Sequence, residues 1–166
     1  MKIKKTNKQY NQIELDYLKK QLNIDLDYTD EDSYLESLLE ASIDYCETFL
    51  GSDIVKTDNE VTFKEFNSNS VSIYESFFNE ITSIYIDNKK ITDFEIDEYL
   101  IKFNISFDSN LKGDLKIKFR TGNETIKPKH KQAILIKASD LYDAERQSYN
   151  YNVNHNDNVL KFLLTL

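Results

Sequence analysis

The sequence predicts an α+β fold: a helical frame of N-terminal helices and a long C-terminal helix, with an inserted small antiparallel β-sheet and a C-terminal arm. Three observations predict it. Apolar residues recur at helical spacing up to Leu50 and again after Pro128, and between those stretches they alternate with a period of two. The only proline and the three glycines punctuate the changes of period.

The first residues, Met1 to Lys8, are basic and polar and read as a solvated arm. Residues 9–24 form a short amphipathic segment with Ile13, Leu15, Leu18 and Leu22 roughly on one side, and Asn23 to Thr29 is an acidic connector. Thr29 lies three residues before Asp32, a variant of the capping box that starts helices. A helix is expected from about Asp30 to Leu50, buried through Leu35, Leu38, Leu39, Ser42, Cys46, Phe49 and Leu50, with Glu36, Glu40, Asp44 and Glu47 on the opposite face. Asp30, Glu31 and Asp32 in its first turn complement the helix dipole, and Gly51 takes the C′ position.

Strands are expected next at Val61–Phe66 and Val71–Tyr74, then at Ser83–Ile86, which runs into the polar turn Asp87–Lys90 before Ile91 resumes. Tyr99, Ile101, Phe103, Ile105 and Phe107 share one face of a further strand. Leu115, Ile117 and Phe119 alternate with Lys116, Lys118 and Arg120, which predicts a half-buried strand with one basic face, bracketed by Gly113 and Gly122.

Pro128 fits only the first turn of a helix, and no breaker follows it as far as Arg146. Ala133, Ile134, Ala138, Leu141 and Glu145 form one side of that helix, with Leu135 and Tyr142 beside them, while His130 near its start is expected to be exposed. Asp140 and Asp143 read as a solvated face, with Asp143 and Arg146 spaced to pair. Gln147 to Asn158 reads as a linker, and Val159 to Leu166 as an apolar segment that docks either on its own core or on a neighbouring subunit. The expected organisation is one domain over residues 1–150, with the β insert at about 54–121, and an arm over 151–166.

Composition narrows the function. The net charge of −8 argues against general nucleic-acid binding, which needs excess Lys and Arg. The charge is also uneven. Lys56 and Lys64 are the only cations between Asp25 and Glu65, whereas eight basic residues between Lys112 and Lys137 meet only Asp114 and Glu124. Such polarity suits stacking against copies or partners of opposite sign. Cys46 is the only cysteine, which leaves no intrachain disulfide and reads as a small core residue in a reducing compartment. His130 and His155 have no zinc-ligand spacing, the three glycines make no phosphate loop, and no nucleophile elbow is present, so no enzyme, metal or cofactor is expected. No apolar run is long enough to cross a bilayer and no signal-peptide core is recognised at the start, so no membrane partner is expected.

The ordered pieces resemble a known family. Gln12–Asp25 followed by Asp30–Gly51 resembles the opening of tailed-phage head–tail connector proteins: a leucine-rich turn, a short acidic loop and an amphipathic helix with a paired-leucine face. The proline, the run Ala133–Ile136, Leu141–Tyr142 and Glu145–Arg146 resemble the family's closing helix, with Glu-Arg in place of its Arg-Glu order. Ile81–Asp87 with Tyr99–Phe103 is similar to the β insert of some members. Together the motifs span roughly residues 12–149.

The resemblance implies a structural virion protein, an adaptor that forms a ring of itself, usually a dodecamer, beneath the portal. There it extends the DNA channel toward the next neck or tail protein, and it is built in the host cytoplasm during assembly. An acidic lining suits such a channel, because it repels phosphates and lets DNA slide without sequence-specific binding. The alternatives are a neck stopper or tail-completion protein and a small acidic host-directed regulatory protein. The candidate subunit or portal interface is Lys116, Lys118, Arg120, Arg146, Val159, Leu160, Phe162, Leu163 and Leu164. For the basic stripe the order of preference is a neighbouring subunit, then the portal, then DNA.

Overall fold

The computed structural model describes residues 3–146 and 154–164, with side chains over 3–142 and 159–164. The elements run β1 (Ile3–Lys8), a 3₁₀ turn (Tyr10–Gln12), α1 (Leu15–Leu22), α2 (Asp32–Leu50), β2 (Thr57–Ile73), β3 (Phe78–Ile86), β4 (Lys89–Ile91), β5 (Glu95–Glu98), β6 (Phe103–Thr121), α3 (Pro128–Arg146) and α4 (Asn154–Leu163). They make two compact units: a β unit from Met1–Gln9 and Val55–Glu124, and a helical unit from Tyr10–Ile54 and Thr125–Leu166.

In the β unit all pairings are antiparallel and the strand order is β1-β2-β6-β3-β4, with β5 also on β6. Val61–Phe66 and Val71–Tyr74, expected as separate strands, belong to one bent ribbon that takes in Thr57–Ile73. The segments around Phe103 and Ile117 likewise join into β6. The β2–β6 register shifts between Phe63 and Phe66 and between Ser68 and Ser70, and Glu65 takes a left-handed φ of 51°. Such bulges bend a strand pair sharply. The bend is read directly from two rings: Phe103 and Phe119 lie on one strand, yet their centroids are 5.2 Å apart. A straight strand would separate them by roughly 50 Å at about 3.3 Å per residue. The ribbon therefore folds over itself, and Phe103, Ile105, Ile117, Phe119, Ile73 and Ile84 form the centre of the core it encloses.

Two local expectations change here. The start of the chain is not a solvated arm: Ile3–Lys8 is an edge strand paired to β2, because Ile3 packs on the core and the backbone finds partners along Thr57–Val61. Tyr99 and Ile101 do not belong to β6 either. The Tyr99 N–H donates to the Lys102 carbonyl at 2.8 Å, which closes a turn and leaves Tyr99, Leu100 and Ile101 exposed despite their alternation. The Asp87–Asn88 turn holds φ of 46° and 66°, the pair of left-handed residues that a two-residue hairpin needs to match strand twist. Asp87 Oδ1 accepts from the Asp114 N–H at 2.8 Å, and the neighbouring Gly113 holds a φ of 133°, a conformation that favours glycine over any residue with a Cβ.

The helical unit packs α2 against α3, α1 against both, and α4 against α3. Leu35, Leu38, Leu39, Ser42 and Cys46 of α2 are buried as expected, but the stripe drifts with the helical period. Ile43 and Glu47 turn inward while Phe49 stays 46% exposed. Glu47 is buried because its Oε1 accepts the Ile54 N–H at 2.7 Å, just past the Gly51 cap. Thr29 makes no capping box: no side chain caps α2, and Thr29 contributes its carbonyl, which accepts from the Asp32 N–H at 3.2 Å.

A buried lysine orders this end instead. Lys19, on α1, is almost fully buried; its Nζ donates to the carbonyls of Leu26 (3.2 Å) and Tyr28 (2.7 Å) and pairs with Asp32 Oδ1 at 2.6 Å. One ammonium thus ties the acidic connector to the last turn of α1 and the first turn of α2.

In α3, Ala133, Ile134, Leu135, Ala138 and Tyr142 are buried and Leu141 is half-buried. His130, expected outside, is fully buried, because it heads the i, i+4 column that continues through Ile134, Ala138 and Tyr142. The Tyr142 hydroxyl donates to Glu31 Oε2 at 3.2 Å, linking α3 to the start of α2. The linker expected to Asn158 is shorter, since α4 begins at Asn154, and residues 147–153 lie outside the described residues.

Lys19→Met keeps the stem and removes the ammonium. It should lower unfolding stability by about 2 kcal/mol, the scale for losing hydrogen bonds from a charged donor beside a partly exposed carboxylate. A urea titration checks this, with the midpoint falling at unchanged slope.

Candidate functional site

The basic stripe forms as the alternation of β6 requires. Leu115, Ile117 and Phe119 face the core, and Lys116, Lys118 and Arg120 face away. Strand pairing then decides the stripe's electrostatics. Asp58 and Glu60 of β2 stand in register with Arg120 and Lys118, and Glu80 of β3 pairs Arg120 from the other side. Arg120 Nε donates to Asp58 Oδ1 at 2.9 Å and its Nη1 donates to Glu80 Oε1 at 2.6 Å. Glu60 lies between Lys116 (3.8 Å) and Lys118 (3.7 Å). Lys64 pairs with Asp114, and Lys56 with Glu124, at the margins of the same sheet. The stripe is thus a charge-matched ladder rather than a bare cationic surface.

The sequence reading missed the acidic half of this ladder. Its signal was present as Asp58 and Glu60 two apart, but it becomes legible only once β2 is known to lie beside β6. The hydrogen bond from Arg120, before any other cause, holds the Asp58 carboxyl below the usual aspartate range, and the same bond raises Arg120. Asp114 is likewise lowered, chiefly by its bond from Lys64, and Glu124 chiefly by its bond from Lys56.

The terminal candidates divide by face. Leu160 and Leu164 are buried within the helical unit, Leu163 is half-buried, and Val159 (41%) and Phe162 (77% exposed) look outward. The segment therefore docks on its own unit through two leucines and keeps an apolar outer face. The side chains of Arg146, Asp143 and Glu145 lie outside the described residues, as does that of His155. Among the described residues no three His, Cys, Asp or Glu side chains converge to hold a metal ion, and no helix is long and apolar enough to cross a membrane. Burial pushes the Cys46 thiol up to about 12, far from a nucleophile's range.

What the geometry offers is surface for assembly: charge ladders, open strand edges and an outward apolar helix face. The comparisons agree with a protein of that class. The family model described as "Phage gp6-like head-tail connector protein" matches residues 12–96, half of the chain. The chain belongs to this family of structural, non-enzymatic connector proteins. No curated protein sequence matches it.

Among solved structures, a chain of the "Neck of empty GTA particle computed with C6 symmetry" is similar over 100% of this chain and 96% of its own, with TM-score 0.79 at 13% identity. A chain of the "Virion of native gene transfer agent (GTA) particle" is similar over the same shares, with TM-score 0.76 at 12% identity. A chain of the "Neck of native GTA particle computed with C12 symmetry" is similar over the same shares, with TM-score 0.71 at 11% identity. At these identities the likeness is one of fold, and it covers the β unit as well as the helices.

Two outcomes follow from the titrating groups. Because folding lowers the Asp58 pKa, its stabilisation is present above the ordinary carboxylate range and is lost as pH falls through the folded value. Thermal melts from pH 7 to pH 3 should therefore show a smaller acid loss in Asp58→Asn than in the unaltered chain. Cys46 should resist alkylation by iodoacetamide at pH 8 in the native protein and react promptly in urea, followed by mass spectrometry.

Proposed function

We propose that this protein is the adaptor of a virion neck: a homo-oligomeric ring, with twelve copies, that sits beneath the portal and extends the DNA channel toward the next neck or tail protein. The observation that carries the reading is that a connector-family match and a full-length likeness to chains from particle necks fall on the same molecule. The number twelve follows the symmetry with which one of those necks was computed. The protein would be made in the host cytoplasm and end in the virion.

The charge distribution supports a channel role. The β unit holds thirteen basic and thirteen acidic residues and is neutral, so the whole net charge of −8 belongs to the helical unit, with eight basic against sixteen acidic. Acidic helices lining a channel repel phosphates and let DNA pass without gripping it. The ladder of Lys116, Lys118 and Arg120 is already matched by Asp58, Glu60 and Glu80, which favours a subunit contact over DNA for that face. The outward face of α4, with Val159 and Phe162, suits docking on the portal.

Negative-stain electron microscopy and native mass spectrometry of the purified chain, alone and with its cognate portal protein, test the reading. Closed rings of twelve copies are expected, at least on the portal. A protein that stays monomeric or dimeric in both conditions would sink it.

A further inference from the structure

Among the described residues, two of the open strand edges of the β unit carry opposite charge. β1 is paired on one side only, to β2, and bears Lys4, Lys5 and Lys8. β5 is paired on one side only, to β6, and bears Glu95, Asp97 and Glu98. All four residues of β5 are exposed, Ile96 among them at 37%, and the turn beyond it leaves Leu100 71% exposed between Tyr99 and Ile101. A strand that shows solvent both its outer backbone groups and its apolar side chain is a template for another strand.

The charges select which strand. Like charges set β1 against a second β1, and β5 against a second β5, and so disfavour a symmetric dimer through either edge. The opposite edge of another copy meets no such penalty. The two edges flank different members of the central pair, β1 beside β2 and β5 beside β6, so a contact between them joins unlike patches on successive copies. Such a contact is heterologous, and under rotation it closes into a ring.

We infer that β5 of one copy adds to the open edge of β1 of the next copy, setting Glu95, Asp97 and Glu98 against Lys4, Lys5 and Lys8. The inference rests on the ring reading above and names the surface that builds the ring. Main-chain hydrogen bonds supply the affinity of such strand addition, and the charges supply the choice of partner. Ile96 gains cover from Ile3, which is only partly buried at the rim of its own core. Lys102, held 5.1 Å from the Tyr99 ring and 5.9 Å from the Tyr74 ring, braces the turn beside the contact.

The test uses the full-length chain, scored for rings on the portal by native mass spectrometry. The variants are Lys4→Glu/Lys5→Glu/Lys8→Glu, Glu95→Lys/Asp97→Lys/Glu98→Lys, and both sets in one chain, each checked for an unchanged thermal melt. Each set alone should abolish the ring species, and the combined chain should restore it. Rings from either single set overturn the edge pairing and leave the ring reading standing. Failure of the unaltered chain to form rings overturns both. A second measurement does not depend on the charge swaps: Lys4→Cys/Asp97→Cys, two positions on the sheet face opposite Ile3 and Ile96, should give, on oxidation, a ladder of covalent oligomers beyond the dimer, with the native Cys46 buried and silent. Rings that give no ladder overturn the pairing.

Discussion

Because β2 and β6 are hydrogen-bonded from Thr57–Thr121 at one end to Ile73–Phe103 at the other, every other strand takes its register from this pair, directly or, for β4, through β3. A one-residue slip would carry Ile117 and Phe119 to the outer face and Lys118 and Arg120 into the core. The cost of that exchange holds the register. The register in turn sets Asp58 opposite Arg120 and Glu60 opposite Lys118, so the core and the charge ladder are two faces of one constraint. The bulges spend a few ladder positions to fold the ribbon back, which lets one long strand pair close a core around its own phenylalanines.

The helical unit solves a different problem. It carries an excess of eight negative charges, and self-repulsion of that kind opposes compactness. Its leucine face and the Lys19 pin work against that repulsion, and the pin does so where the acidic connector would otherwise be hardest to hold. Lys137 over the Tyr45 ring, at 4.0 Å from the centroid, and Lys131 over the Tyr17 ring extend the same device, since a cation resting on an aromatic face stays near the carboxylates around it.

Much of the fold was legible because it depends on period. The helices over Asp32–Leu50 and from Pro128, the Asp87 turn and the alternation around Ile117 are local patterns, and each stands where it was expected. The misreadings share a cause: each depended on a partner far away in the chain. Ile3–Lys8 is a strand because Thr57–Val61 lies beside it, and Tyr99 is in a turn because β5 must come back to β6. Glu47 and His130 are buried although their residue types suggested the surface, since helix geometry aims them inward. The basic stripe could be read from one strand, but its neutralising acids lie on two others and were not visible until the sheet was. Family membership was legible from the order of the helical motifs, which no single motif carried.

The chain order of the helical unit has a consequence for synthesis. α1 and α2 leave the ribosome early, whereas α3, which covers the leucines of α2, follows only after every strand of the β unit. The β unit can therefore close while Leu35, Leu38 and Leu39 still lack their cover, a stage at which nascent chains are prone to stick to one another. The other side of α2 bears Glu36, Glu40 and Asp44, so two half-made chains repel as their bare leucine faces approach. The acidity of the helical unit thus works against association of unfinished copies on a crowded polysome, until each one can fold its own helices together.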